Sequence, residues 1–334
     1  MIVPVLNGAG TLRESLDSIL GQTYPDLDVI VMDDGSTDET PEIIASYGDR
    51  IRSVRQPETR GIYGNANDGI ALAEGDLVGV FHADDVYLPD LVEREVAWLE
   101  RHPEAGAAFC SVVFVDQEGR EFGRLALPPE VRGSRSLDYG AVLNTLLSRK
   151  NSFLACPTAL VRASVYRELG GYRDEEFKNT SDLEMWLRIA RSFPVGVLED
   201  QLLLYRRGHG SSSENYHRLR LDQERFFRIM DLELDGGGRA VATPQALRDY
   251  EAHRAHDAVM RSMNHYILGQ RAEAREVLSG VKLRQLVASN RIQRGRMVVL
   301  AASLRGILRV PRSERIAHLL ERRRYRGPGP ARVR

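Results

Sequence analysis

Val80-Phe81-His82-Ala83-Asp84-Asp85-Val86 closes an apolar run, begun at Leu77, with two adjacent carboxylates. The run reads as a buried strand. Two like charges at its end repel one another unless a cation lies beside them. A divalent cation that also holds phosphate oxygens would remove the conflict, because hard metals take carboxylate ligands. A turn in which Asp84 or Asp85 caps the helix after Pro89 is the purely structural alternative. The same form occurs earlier, where Val29 to Met32 ends in Asp33-Asp34-Gly35-Ser36-Thr37-Asp38-Glu39. Gly35 suits a turn, Ser36 and Glu39 fit a capping box, and Pro41 fits a first helical turn. None of these explains two carboxylates at the strand's carboxyl end, the edge at which open α/β sheets bind ligands. An Asp placed there can accept hydrogen bonds from a ribose hydroxyl or a base imide.

Working outward, Ile2 to Leu6 is a short buried strand and Asn7 to Gly10 a turn. Thr11 and Glu14 fit a capping box for a helix whose apolar face is Leu12, Leu16, Ile19 and Leu20. Gly8 and Gly10 are not a dinucleotide fingerprint, because the third glycine is replaced by Arg13. Ile51 to Arg55 is a strand, and Gly61 to Gly69 a polar loop running into a helix, with Arg60 and Asn67 facing either a ligand or the loop itself. Pro89 to His102 is a helix, and Ala107 to Val115 a long strand closed by a turn at Gln117-Glu118-Gly119. Strand and helix alternate to about residue 116. This predicts an α/β fold, a mostly parallel sheet with helices on both faces.

The chain is less regular beyond that point. Leu137 to Ser148 and Ala163 to Leu169 read as helices, the latter stopped by Gly170-Gly171, with Ala155 to Val161 an apolar segment between them. Ser181 and Glu184 form a third capping-box pattern. Asp182, at the first helical position, gains from the helix dipole and can point from the helix end into a cleft. Leu202 to Tyr205 is a short strand, followed by the basic, hydroxyl-rich stretch Arg206 to Ser212, whose composition suits either phosphate contacts or a plain surface loop. After Asn215 helical patterns dominate, interrupted by a hinge at Gly236-Gly237-Gly238. A disordered tail is expected from about residue 326. The chain thus divides into residues 1–215 and a helical, Arg-rich region, residues 216–334.

The 334 residues are 43% hydrophobic and 28% charged, the profile of a soluble globular chain. Cys110 and Cys156 have no metal-binding or redox spacing, which suits a reducing compartment. No signal peptide is visible, and no apolar run reaches the ~20 residues of a membrane span. The net charge of −1 conceals an asymmetry: from Arg271 onward 17 Lys+Arg face 4 Asp+Glu, a local +13 that leaves −14 on residues 1–270. Such a segment either meets an anionic membrane or forms solvated helix faces. It lacks the interleaved aromatics of a nucleic-acid stacking surface. These features place the protein in the cytoplasm, with peripheral contact at the inner face of the membrane.

Three blocks, Ile2-Val3-Pro4-Val5-Leu6-Asn7, Leu16-Asp17-Ser18-Ile19-Leu20-Gly21-Gln22-Thr23-Tyr24-Pro25 and Val29 to Asp38, resemble the opening of family 2 glycosyltransferases, which have the GT-A fold. The resemblance continues through Ala83-Asp84-Asp85, Ser181-Asp182 with Trp186, and Tyr205-Arg206 with His209 and Ser212, covering roughly residues 1–215. It implies an inverting transfer of a sugar from a UDP-, GDP- or dTDP-linked donor to a saccharide or lipid-linked acceptor, as in cell-envelope polysaccharide or glycolipid synthesis. Pro4, Val5, Leu6, Asn7, Asp33 and Asp34 would line the nucleoside pocket, with Arg60 and Asn67 nearby. Asp84 would hold the ribose or diphosphate, and Asp85 with His209 a Mn²⁺ or Mg²⁺ ion. Arg206 and Ser212 would approach the diphosphate, Asp182 would be the base, and Trp186 would lie on the acceptor side. The sequence departs from a common pattern at His82, where many relatives carry an acid, and at Leu6, where an aromatic often stacks on the base. A sugar nucleotidyltransferase and a non-catalytic sugar-nucleotide or membrane-binding module are the competing readings. The helical region could cover the acceptor, pair two subunits as a homodimer, or dock on a membrane.

Overall fold

A computed structural model describes residues 1–133, 136–208, 220–288 and 294–310. The chain divides into two compact units, Met1–Glu214 and Asn215–Arg334. In the first unit the order is β1 (Ile2–Val5), α1 (Leu12–Leu20), β2 (Ile30–Asp33), α2 (Thr40–Ala45), β3 (Arg52–Arg55), α3 (Ile62–Leu72), β4 (Leu77–Gly79), β5 (Val86–Tyr87) and α4 (Leu91–Arg101). There follow β6 (Ala107–Val115), β7 (Glu121–Arg124), α5 (Tyr139–Arg149), β8 (Leu160–Arg162), α6 (Ala163–Leu169), α7 (Asp174–Phe177), α8 (Ser181–Ser192) and β9 (Val195–Arg206).

Strands β1, β2 and β3 pair in parallel. A parallel bridge between Ile2 and Val80, with the Phe81 N–H donating to the Ile2 carbonyl at 2.8 Å, joins β1 to the end of β4. Beyond β4 the order is β8, β6, β9, β5, with β7 hairpinned onto β6. Strand β8 is antiparallel to both β4 and β6, whereas β9 is parallel to β6. Six strands, β1 to β4, β6 and β9, therefore run one way, as the alternation predicts, and β5, β7 and β8 run the other. Consequently the carboxyl ends of β1, β2, β4, β6 and β9 share one edge. Helix α1 buries Leu12, Leu16 and Ile19 against Val3, Val31 and Phe81, its one apolar stripe. Helix α3 lies closely on β1 at Gly69, where a Cβ would stand 2.4 Å from Cγ2 of Ile2.

The structure differs from the sequence expectations in three places. Strand β9 has 12 residues rather than the four of Leu202–Tyr205, because it pairs with β6 on both sides of an irregular middle. Its register breaks on the way: Cys110 faces Leu198, Ser111 faces Gln201, and Val112 faces Leu203. Strands β5 and β7 were not anticipated, being short and lacking alternation. None of the three capping boxes forms. Thr11 Oγ1 donates to the Ala83 carbonyl at 3.0 Å, Ser36 Oγ accepts from the Asn7 N–H at 2.9 Å, and Ser181 Oγ donates to the Lys178 carbonyl at 2.6 Å. Glu14 and Glu184 pair instead with Arg206 and Arg188. At Thr11, Ser36 and Glu14 a partner distant in sequence displaces the local cap, whereas Ser181 and Glu184 are taken by neighbours three and four residues away.

The second unit contains helices Arg225–Asp235, Pro244–Ile267, Arg271–Ser279, Leu283–Ala288 and Arg294–Arg309. Thr243 caps the longest of these, accepting from the Ala246 N–H at 3.1 Å, with Pro244 in its first turn. Val259, Met263, Tyr266, Leu278, Leu304 and Leu308 are in its core. Arg271 and Arg275 donate to the Leu308 carbonyl, satisfying and complementing the last helix's negative end. Among the described residues no helix is long and apolar enough to cross a membrane.

Candidate active site

The turns after β1 and β2 are laced together by the residues expected to line a nucleoside pocket. Asn7 has a left-handed backbone (φ 52°), which Asn tolerates better than most side chains. Its Oδ1 accepts from the Thr37 N–H at 2.8 Å. Asp33 Oδ1 accepts from the Ser36 N–H at 2.9 Å, across a turn in which Gly35 has φ 84°. Both oxygens of Asp34 accept from the main chain of the loop before α3, from Arg60 at 2.7 Å and Gly61 at 3.0 Å. These aspartates shape the loops on which a nucleotide would rest. Pro4 and Val5 are buried, whereas Leu6 is 47% exposed and offers an apolar face at this edge. Arg60 pairs with Asp68 at 2.9 Å. Asn67 is clamped at both ends of its amide, 2.8 Å to the Tyr172 carbonyl and 2.8 Å to the Tyr172 N–H.

At the end of β4, ligand atoms of His82, Asp84 and Asp85 all lie within 4.8 Å of one another. Asp85 is 1% exposed. Its Oδ1 accepts from the Arg206 N–H at 2.8 Å, while its buried Oδ2 has no hydrogen-bond partner among the described residues and lies 3.7 Å from His82 Nδ1. Burial and the neighbouring Asp84 push the Asp85 carboxyl well up, against the opposing pull of Arg206. Burial lowers the His82 pKa, with Asp84 opposing. An orphaned carboxylate oxygen beside an imidazole and a second carboxylate fits a divalent cation. His82, without an assigned role in the sequence reading, thus joins the cluster. His209 and Ser212 lie outside the described residues.

Arg206 is not available to a diphosphate, contrary to the sequence expectation. Its side chain is 5% exposed and its donors are consumed within the protein. Nε donates to the Asp84 carbonyl at 3.0 Å, Nη1 to the carbonyls of Asp116 (3.3 Å) and Gln117 (3.0 Å), and Nη2 to Glu14 Oε2 at 2.6 Å. Arg206 therefore ties the acidic turn to α1 and to the β6–β7 hairpin.

A cleft of about 240 Å³ opens beside this cluster, lined by His82, Tyr63, Phe114, Phe153, Asp182 and Arg207, among others. Asp182 stands in the first turn of α8. Burial raises its pKa to about 6, against stabilising hydrogen bonds from the Leu183 main chain and the Tyr63 hydroxyl. A carboxyl so poised can accept a proton near neutrality. Trp186, expected on the acceptor side, is 1% exposed and packs edge-on against Phe109 and Tyr172 at 5.0 and 6.0 Å, so its ring supports α8 and reaches no substrate. Tyr63 and Arg207 were missed. Nothing in the sequence connects Tyr63 to Asp182, whereas strand alternation after Tyr205 could have separated Arg207 from Arg206.

The cleft thus brings Asp182 and His82 together, with Asp84 and Asp85 grouped around His82 at the end of β4. The sequence model of glycosyl transferase family 2 matches residues 1–170, and the chain belongs to that family. An uncharacterized glycosyltransferase of Rickettsia prowazekii, RP339, is 30% identical over 217 residues, covering 64% of this chain and 65% of that protein. The fold is that of S. aureus TarS 1-349 in complex with UDP (TM-score 0.57, 18% identity, 97% of this chain and 91% of that one). It is also that of the Pyrobaculum calidifontis mannosyltransferase PcManGT in complex with GDP-Man and Mn²⁺ (TM-score 0.53, 19% identity, 96% and 85%).

Proposed function

We propose that the protein is a metal-dependent, inverting glycosyltransferase that moves a sugar from a nucleotide donor to an acceptor hydroxyl. The observation carrying this reading is that Asp182 and His82 line one cleft, bringing a carboxyl of pKa about 6 beside a His-Asp-Asp cluster with the spacing to hold a cation. Family membership and the neighbours with UDP and GDP-Man support the donor class. The nucleoside rests on the turns of Asn7, Asp33 and Asp34, with Leu6 against the base. His82, Asp84 and Asp85 would hold Mn²⁺ or Mg²⁺, which supplies charge neutralisation at the leaving diphosphate. Asp182 takes the proton of the acceptor hydroxyl as its oxygen bonds to the anomeric carbon. The bond from that carbon to the diphosphate oxygen breaks with its electron pair leaving on the nucleoside diphosphate. One displacement inverts the centre and forms no enzyme-bound sugar.

The test is a donor screen by thermal shift with and without Mn²⁺, followed by identification of the released nucleotide. Release of nucleoside diphosphate supports transfer, whereas release of pyrophosphate indicates a nucleotidyltransferase, and binding without release a non-catalytic module. The acceptor, in an envelope polysaccharide or glycolipid, would meet the protein at the membrane. The local +13 charge from Arg271 onward supports peripheral contact with anionic lipid. Equal binding to anionic and neutral vesicles at low salt would refute that contact.

A further inference from the structure

The two consecutive arginines at the end of β9 have opposite fates. Successive side chains of a strand point to opposite faces. Arg206 turns inward and is consumed by the Asp84, Asp116 and Gln117 carbonyls and by Glu14. Tyr205 and Arg207, flanking it, both line the cleft that contains Asp182. The Arg207 guanidinium lies over the Phe114 ring, 4.0 Å from its centroid, and 5.5 Å from that of Tyr205. Phe114 and Tyr205 meet edge to face at 6.0 Å, and Phe122 of β7 stacks with Phe114 at 6.2 Å. Among the described residues Arg207 has no ion pair and no side-chain hydrogen bond. An exposed arginine oriented by aromatic rings is a preorganised fork for a carboxylate or phosphate.

The cleft is on the acceptor side of the cation cluster. It contains Asp182, which must touch the attacking hydroxyl if it is the base. It does not include Asn7, Asp33, Asp34 or Arg60 of the nucleotide edge. Its other walls combine apolar Leu125, Phe153 and Leu154 with polar Asn151, Ser152 and Asn179, and Arg207 is its one guanidinium. Asp182 is the one carboxylate in its lining, and it would repel an anionic ligand unless a cation such as Arg207 faced that ligand.

We propose that Arg207 forms an anion-reading subsite for the acceptor, so that the preferred acceptor carries a phosphate or carboxylate close to the hydroxyl that is glycosylated. This inference rests on the glycosyltransferase reading. The experiment uses the full chain with Mn²⁺ and the donor found by thermal shift. It compares methyl glucuronide with methyl glucoside, and glycerol 3-phosphate with glycerol, as acceptors for the wild type, Arg207→Lys and Arg207→Gln. UDP and GDP affinities are measured in parallel.

The expected result is a preference of about tenfold or more in kcat/KM for the charged member of at least one pair, the size of one charge-assisted contact. Which pair responds identifies carboxylate or phosphate as the recognised group. Arg207→Gln should bring the preference to within about twofold through acceptor KM, Arg207→Lys should retain part of it, and nucleotide affinity should stay within about twofold. Donor binding or hydrolysis without discrimination in either pair would overturn the subsite and leave the transferase reading standing. A loss of UDP or GDP affinity in Arg207→Gln equal to the loss of activity would also overturn it, by placing Arg207 on the leaving diphosphate. Failure to bind any nucleotide would instead overturn the transferase reading.

Discussion

The main-chain N–H of Arg206 donates to Asp85 Oδ1 at 2.8 Å, while its guanidinium holds the Asp84 carbonyl at 3.0 Å. One residue thus fixes both members of the acidic pair without occupying the space in front of them. The cluster's geometry then depends on an arginine that touches no ligand.

Arg206→Met should therefore destabilise the fold by about 2–4 kcal/mol, because several buried carbonyls lose their donors. It should also weaken Mn²⁺ binding by about tenfold or more. Glu14→Gln should cost under about 1 kcal/mol, since the Glu14 side chain is 61% exposed. Its effect on Mn²⁺ binding should stay within about threefold. Urea denaturation and a Mn²⁺ binding isotherm measure the two effects separately. Wild-type Mn²⁺ affinity in folded Arg206→Met would remove Arg206 from the positioning of the site.

Asp182→Asn should reduce turnover by roughly 10²–10⁴-fold while leaving donor affinity intact. It should also stabilise the protein at neutral pH. The carboxyl's pKa is raised from 3.8 to about 6 by burial, so between those values the folded chain retains a proton that the unfolded chain has lost. Stability then falls as pH rises through this window, and the whole cost is present above it. The variant's Tm should exceed the wild type's by a few degrees at pH 7.5, and the difference should vanish toward pH 4. Scanning calorimetry at the two pH values checks this. An equal gain at both would mean that the amide acts through packing.

Tyr63→Phe removes a hydrogen bond that favours ionised Asp182. The acid limb of the kcat/KM profile should move upward from about 6 by up to about one pH unit. An unmoved limb, with only a uniform loss of rate, would show that the phenol does not set the protonation of Asp182.

Asn67→Ala should behave as a folding mutation. Both ends of the amide are used on Tyr172, so its loss should cost about 1–3 kcal/mol. Nucleotide affinity should change less than about threefold. Selective loss of donor binding with unchanged stability, read from denaturation and a binding isotherm, would restore Asn67 to the nucleotide pocket.

The legibility of the chain follows the range of the interactions involved. Strands β1, β2, β4 and β6 are apolar runs whose ends are marked by turns or acids, so local pattern sufficed to place them. Helix α6 was placed without error because Gly170 stops it in a left-handed turn (φ 80°). The cap at Thr11 failed because Glu14 pairs with Arg206, a partner far along the chain that no local rule detects, whereas Glu184 is taken by Arg188 one turn on, a competing pair visible in the spacing. Asp84, Asp85 and Asp182 stood out as candidates because they are carboxylates at strand and helix ends, although a cap or the helix dipole also accounts for them. His82 and Tyr63 were not assigned, since their roles exist only once the sheet brings β4, α3 and α8 to one edge. Arg206 and Trp186 were assigned from the family resemblance, and both are buried against protein partners.

The irregular middle of β9 has a further consequence. From Cys110 to Val112 the chain takes two steps along β6, while the facing segment takes five, from Leu198 to Leu203. The surplus is odd, so it inverts the phase of every side chain that follows. Arg206 faces inward and Arg207 outward because of that inversion. Removal of one residue between Glu199 and Leu202 would shift the register by one, bringing Arg207 to the inward position and turning Arg206 to the opposite face. A relative with a different number of residues in this bend needs its arginines matched by facing, not by distance along the chain.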